Sequence, residues 1–211
     1  MGRYLGPVCR LCRREGIKLM LKGVRCETAK CAMERSWRNS PPGPRRWRRR
    51  RTASEYGVRL REKQKVKRFY GVYERQFQRY FAAAERSRSN TGEALLTLLE
   101  RRLDNVVHKL GFAPSRRAAR LVVAHGHVRV NGRRVNRPGY LIKVGDTVAA
   151  RPAERSQKLI RANLGDGGGP PVQAWLELDS ATLAGSVRAL PTSEDVQIPV
   201  EVQLIIEMCS R

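Results

Sequence analysis

The sequence predicts an α+β fold in which a cysteine-stapled N-terminal segment is followed by a helical body and an inserted module of two helices plus a small antiparallel sheet. Three observations carry that prediction. Apolar residues recur at spacings of three and four from Tyr73 to Phe81 and again from Leu95 to Leu110, the period of helices that bury one face. "HVRVNGRRV" alternates Val128 and Val130 with polar residues, then presents Asn131-Gly132, the dipeptide that best accepts the two positive φ values of a type I′ hairpin turn. "CRLCRREGIKLMLKGVRCETAKC" sets two close cysteine pairs in a stretch with few bulky apolar residues to hold it together.

The elements follow in chain order. Residues 1–45 carry the cysteines and lead through "SPPGPRRWRRRR" into a basic linker ending at about residue 54, where like charges and little to bury oppose folding. Residues 55–97 form the helical body. In "EYGVRLREKQKVKR" cations occupy much of one helix's circumference, and after Gly71 the aromatics Tyr73, Phe77, Tyr80 and Phe81 line a buried helical face. Thr91 is expected to cap a long helix in which Leu95, Leu96, Leu99, Leu103, Val106, Val107 and Leu110 fall within about 120° of arc. Gly111 ends it where a left-handed residue is wanted.

The module spans residues 98–160. Ser115 opens its second helix, "SRRAARLVVAH", which Gly126 closes; Ala118, Leu121, Val122 and His125 are expected on the inner face, with Arg116, Arg117 and Arg120 opposite. The hairpin at Asn131-Gly132 follows, and Gly145-Asp146 turns between "YLIKV" and "TVAA". Residues 161–211 supply the flexible "LGDGGGPP", a strand in "AWLELD", and a C-terminal strand in which Val200, Val202, Leu204, Ile206 and Met208 share one side, these strands packing back on the body.

The cysteine spacing is C-x2-C, thirteen residues, then C-x4-C. Two close pairs separated by a loop suit tetrahedral zinc, each turn aiming two sulfurs at one point. With all four positions filled by Cys9, Cys12, Cys26 and Cys31, one such Zn²⁺ is structural, and it supplies the folding energy that the sparse apolar residues do not. An iron–sulfur cluster also takes four thiolates; metal-free thiols or two disulfides are the remaining readings. Cys209 stands apart and reads as a small buried hydrophobe.

Forty-three Lys plus Arg against nineteen Asp plus Glu give a net charge of +24, a surface whose natural partner is a polyanion. Most of the excess is Arg, whose planar fork binds phosphate bidentately and stacks on bases. No apolar run approaches the roughly 20 residues needed to cross a bilayer, "MGRYLGPVCRLCRREG" has no apolar core for a secretory signal, and no amphipathic anchor or lipidation site is evident. A cytoplasmic nucleic-acid binder without a membrane is the expectation.

No active site emerges. Arg102-Leu103-Asp104 resembles the stretch around the catalytic aspartate of pseudouridine synthases, but Leu103 lies on the apolar stripe and Asp104 is expected in a surface ion pair near Arg101 and His108. His125 is expected to face inward, His127 to begin a strand and His108 to be exposed. Gly167-Gly168-Gly169 precedes two prolines rather than a helix, so it is no phosphate-binding loop.

"RYLGPVCRLCRREG", "YGVRLREKQKVKRFYGVYERQFQRYF", "NTGEALLTLLERRLDNVVHKLGF", "SRRAARLVVAHGHVRVNGRRVN" and "IIEMCSR", in that order, resemble the family of bacterial small-subunit ribosomal protein four. Residues 98 to about 160 resemble the RNA-binding module named after it, which also occurs in RNA-modifying enzymes and a tRNA synthetase. The resemblance implies a primary assembly protein that binds the 5′ domain of small-subunit rRNA and nucleates the subunit body. It also implies contacts with small-subunit proteins three and five, an effect on decoding accuracy through protein five, and basic side chains along the mRNA entry channel. Four-cysteine members bind zinc at the positions corresponding to Cys9, Cys12, Cys26 and Cys31. Two departures stand out: Pro44-Arg45-Arg46-Trp47 replaces the family's Gln-His-Gly after Pro-Gly, and Met208-Cys209 replaces aromatics before the terminal Ser-Arg.

The mechanism expected of such a chain is multivalent phosphate neutralisation by a rigid scaffold that reads RNA shape and 2′-hydroxyls. The expected RNA contacts are Arg116, Arg117, Arg120, Arg133 and Arg134 in the module and Lys63, Lys65, Lys67 and Arg68 on the basic helix. Arg10, Arg13 and Arg14 beside the cysteines and Arg45, Arg46 and Arg48 in the linker complete the set. No small-molecule substrate is implied.

Overall fold

The structure, a computed structural model, describes residues 2, 4–35, 37–43, 54–165 and 171–210. Arg45, Arg46, Arg48, the Pro44–Trp47 departure and Gly167–Gly169 lie outside those residues. The chain divides into two compact units, Met1–Leu95 with Gln197–Arg211, and Leu96–Val196.

The first unit opens with α1 (Cys9–Glu15), stopped by Gly16 at φ 73°, whose N–H returns to Cys12 O at 2.9 Å. A 3-10 turn at Gly23–Cys26 follows. In α2 (Glu55–Phe69), Ser54 caps the start by accepting from Gly57 N at 3.2 Å. In α3 (Glu74–Glu85), Phe77, Tyr80 and Phe81 are buried as their spacing predicts, while Tyr73 precedes the helix and is half exposed.

The chain's end departs from expectation. Val202–Cys209 is a helix rather than a strand, and it packs on α2. The run Val200–Met208 alternates, yet residue 205 is apolar too. The same letters therefore offer a helical face of Val202, Ile205, Ile206 and Cys209, and a short apolar run cannot be told apart by periodicity. Packing decides it: Ile205 is fully buried, and Glu207 accepts from Arg59 Nε at 2.7 Å.

The division between units falls within α4 (Thr91–Glu100). Its cap is Asn90, not Thr91, because Asn90 Oδ1 accepts from Gly92 N at 2.9 Å. The long helix expected from Leu95 to Leu110 is broken. Arg102 adopts ψ 136°, and α5 (Leu103–Lys109) starts afresh. Residues 101–104 bond instead to the loop before the third strand: Leu103 N to Tyr140 O at 2.8 Å, Asp104 N to Pro138 O at 3.1 Å, Ile142 N to Arg101 O at 2.9 Å. A buried ion pair fixes the kink, with the wholly buried Arg102 donating to Asp104 at 3.0 and 2.6 Å. Gly111 (φ 76°) closes α5 as expected, Phe112 N reaching Val107 O and Gly111 N reaching His108 O.

Ser115 caps α6 (Arg116–Ala124), accepting from Ala118 N at 3.2 Å. The buried face is turned from the expected one: Arg116, Ala119, Val122 and Val123 face inward, Ala118 and Leu121 are half-buried, and His125 is exposed. After it come β1 (Val128–Val130), β2 (Arg133–Arg134), β3 (Thr147–Ala150), α7 (Glu154–Gly165), β4 (Leu176–Asp179) and β5 (Ala184–Val187), with α8 (Val202–Cys209) last.

The five strands form one antiparallel sheet in the order β2-β1-β3-β5-β4. Asn131 (φ 49°) and Gly132 (φ 76°) make the predicted hairpin turn. "YLIKV" forms no strand of the sheet; β3 pairs with β1 and β5 instead. Thus β4, expected to pack back on the body, extends the module's sheet through β5, a strand the sequence reading did not offer, and Trp175, Leu176, Leu183 and Val187 join Leu103, Val107, Leu110 and Val123 in its core.

Candidate nucleic-acid interface and metal centre

The cysteine segment brings its four thiols to one cavity, lined also by Val8, Leu19, Met20 and Leu21. Cys12, Cys26 and Cys31 are buried, Cys9 is half-buried, and all are free thiols. The Cys26 sulfur receives the Lys22 N–H at 3.3 Å. Burial pushes the Cys12 and Cys26 thiols up, and crowding by the neighbouring cysteines adds to it. Among the described residues no group of three or more His, Cys, Asp or Glu side chains is set at metal-binding geometry. In number and chemistry the four-sulfur donor set fits Zn²⁺.

The expected RNA contacts divide sharply by environment. On α2, Lys63 and Lys67 both pair with Glu74, at 2.6 and 2.5 Å, and Lys65 pairs with Glu62. Burial pushes Glu74 up, yet the hydrogen bonds from Lys63 and Lys67 hold it below the usual carboxylate range. Arg68 and Arg61 converge on Glu15 Oε1, a carboxylate with no exposed side-chain surface at the end of α1. Burial lowers Arg68 and raises Glu15 despite their contact. The helix that looked most open to RNA thus spends Lys63, Lys67 and Arg68 on pairs that join α1, α2 and α3, and Lys65 on a pair within α2.

The module also holds some of its cations inside. Arg116 is buried, donating from Nε to Asn105 Oδ1 at 2.8 Å, and Arg120 Nη1 reaches Asp104 Oδ2 at 3.3 Å. Asp104 itself is buried between Arg102 and Arg120, not in a surface pair with Arg101. His108 is buried, with Nδ1 3.1 Å from Ala113 O; burial, then the charge of Arg116, lowers its pKa to about 4. Deeper still, Lys109 Nζ meets Glu100 Oε2 at 2.6 Å and Asp195 O at 3.0 Å. Burial lowers the Lys109 pKa against the pull of Glu100.

Exposed cations remain elsewhere. Arg133 and Arg134 lie open on the hairpin, and Arg117 is half-buried. The Arg134 guanidinium lies over Gly126, where an added Cβ would meet its Nε at 2.4 Å. Arg10, Arg14 and Arg25 are exposed on the cysteine segment, while Arg13 is half-buried with Nη1 donating to Ser40 O at 3.4 Å. Sequence reasoning missed Arg75 and Arg79, exposed one turn apart on α3, and Arg155, Lys158 and Arg161 on α7. Their signal was present: each falls on the side of its helix opposite the apolar face that the same spacing defines.

The family model described as "Ribosomal protein S4/S9 N-terminal domain" matches residues 3–100, and the S4 domain model matches residues 101–148. The small ribosomal subunit protein uS4 of Thermus thermophilus is 54% identical over 211 residues, covering the whole of both chains. Over the same full span, uS4 of Caldicellulosiruptor bescii is 53% identical and uS4A of Symbiobacterium thermophilum 52%.

Proposed function

The chain belongs to the uS4 family of small-ribosomal-subunit proteins, and from that premise we propose that it is a primary assembly protein binding the 5′ domain of small-subunit rRNA and nucleating the subunit body. It is a structural, rRNA-binding component of the small ribosomal subunit and not an enzyme. No described helix is long and apolar enough to cross a membrane.

The observation that carries the mechanism is the split among its cations. A paired set, Arg61, Lys63, Lys67, Arg68, Arg102 and Arg120, is held by carboxylates inside each unit. An open set, including Arg10, Arg14, Arg75, Arg79, Arg133 and Arg134, faces outward. The first keeps each unit rigid, and the second neutralises phosphates, so the ordering cost is met on folding and not again on binding. Contacts with small-subunit proteins three and five, with an effect on accuracy through protein five, and with mRNA at the entry channel belong to the same reading.

Cys9, Cys12, Cys26 and Cys31 would hold one structural Zn²⁺. The metal supplies thiolate charge neutralisation and a cross-link among residues 9–31, and Arg10, Arg14 and Arg25 then stand on a fixed surface. Metal analysis of unchelated protein is expected to give about one zinc per chain; well under one removes the metal from the proposal. The assembly role is tested by washing small subunits in high salt: the protein should remain bound, and its release with loosely held factors would overturn the reading.

A further inference from the structure

Helix α7 lies beyond the stretch matched by the S4 domain model, which ends at residue 148. Its inner face is tightly held. Ser156 and Ile160 are buried, Ser156 Oγ meets His127 Nδ1 at 2.9 Å, and Asn163 Nδ2 donates to Phe112 O at 2.8 Å. A Cβ on Gly111 would come within 3.1 Å of Leu164 Cδ2, so the helix is seated closely on the end of α5.

That seating fixes what the outer face presents. Arg155, Lys158 and Arg161 are all exposed, and Arg151 is exposed just before the helix. At three-residue spacing the three helical cations rise about 4.5 Å per step and stay within about 120° of arc. None of the four takes part in an ion pair among the described residues, whereas Lys63, Lys65, Lys67, Arg68 and Lys109 each meet a carboxylate. Glu154, exposed at the start of the helix and four residues before Lys158, offsets part of this charge, and the excess of like charge is relieved when an anion covers it.

We infer that the outer face of α7, entered from Arg151, is a second phosphate-binding surface of the module, one that tracks the sugar–phosphate backbone of a single RNA strand. The inference rests on the rRNA-binding reading and extends it to residues outside the S4 domain. A row of point charges on a fixed helix suits phosphates, which repeat along a strand, and carries no base-reading geometry. The surface therefore adds affinity and salt dependence without adding sequence preference.

The test measures binding of full-length protein to small-subunit rRNA across a salt series. Arg155→Gln with Lys158→Gln, and Lys158→Gln with Arg161→Gln, are compared with the equal-charge control Lys143→Gln with Arg188→Gln, thermal melts checking that all are folded. Each α7 pair is expected to lower affinity roughly tenfold and to reduce the salt slope by about 0.7 to 0.9 per side chain, the control changing neither by more than a fraction of that. If the unsubstituted protein binds and the α7 variants match the control, this inference fails and the rRNA-binding reading stands. If the unsubstituted protein does not bind, both fail.

Discussion

His108 shows how one residue's environment becomes a stability property. The residue is 7% exposed, and burial with the adjacent Arg116 charge lowers its pKa from 6.5 to about 4. Above the unfolded value both states leave the ring neutral and nothing is lost. Between pH 6.5 and about 4 the unfolded chain takes up a proton that the folded chain refuses, so stability falls as pH falls. At 1.36 kcal/mol per unit the full effect is on the order of 3 kcal/mol, with about 2 already lost by pH 5. Replacing His108 with Asn should flatten that limb. Urea midpoints of wild type and variant near pH 7 and pH 5 measure it, and parallel declines would place the titration elsewhere. The sequence hid this residue because helical periodicity assumes one face open to solvent, whereas every residue of α5 from Leu103 to Lys109 is buried.

At the scale of elements the decisive contact is that of α5 with β5. A Cβ on Gly185 would stand 2.5 and 2.7 Å from the Leu110 methyls and 3.2 Å from Glu177 O, so the helix rests directly on a strand with no side chain there. Gly185→Ala should cost about 1 to 3 kcal/mol by overpacking, read as a lower Tm with an unchanged far-UV spectrum; a neutral substitution would mean that the contact relaxes freely. What was legible in these elements was local. Gly111, Ser115 and Asn131-Gly132 act through their own backbone angles or the next few N–H groups, and each stands where expected. What was illegible was tertiary. The α4–α5 break depends on carbonyls of Pro138 and Tyr140, and α8 is held as a helix by its packing on α2, where Arg59 reaches Glu207, and by the burial of Ile205. The pairing of the cations was illegible for the same reason: a cation's spacing says which face it shares but not whether Glu15, Glu74 or Asp104 waits there.

For the molecule as a whole, a net charge of +24 conceals two populations of cations with opposite roles, and one pair of double variants separates them. Lys63 and Lys67 bind the two oxygens of Glu74 between α2 and α3, while Arg75 and Arg79 stand on the outer side of α3. Removing either pair takes away two positive charges, so a surface acting only by overall charge would respond alike to both. Lys63→Gln with Lys67→Gln strips the partly exposed Glu74 of its partners and should lower stability by about 0.5 to 1 kcal/mol while leaving the salt slope of rRNA binding unchanged. Arg75→Gln with Arg79→Gln should leave Tm unchanged and reduce that slope by about 0.7 to 0.9 per residue. Thermal melts and a binding series from low to high salt on the same preparations decide it. Equal slope changes in the two variants would mean that the paired cations leave their carboxylates to meet RNA. A division between scaffold and interface would then be a property of the free protein alone.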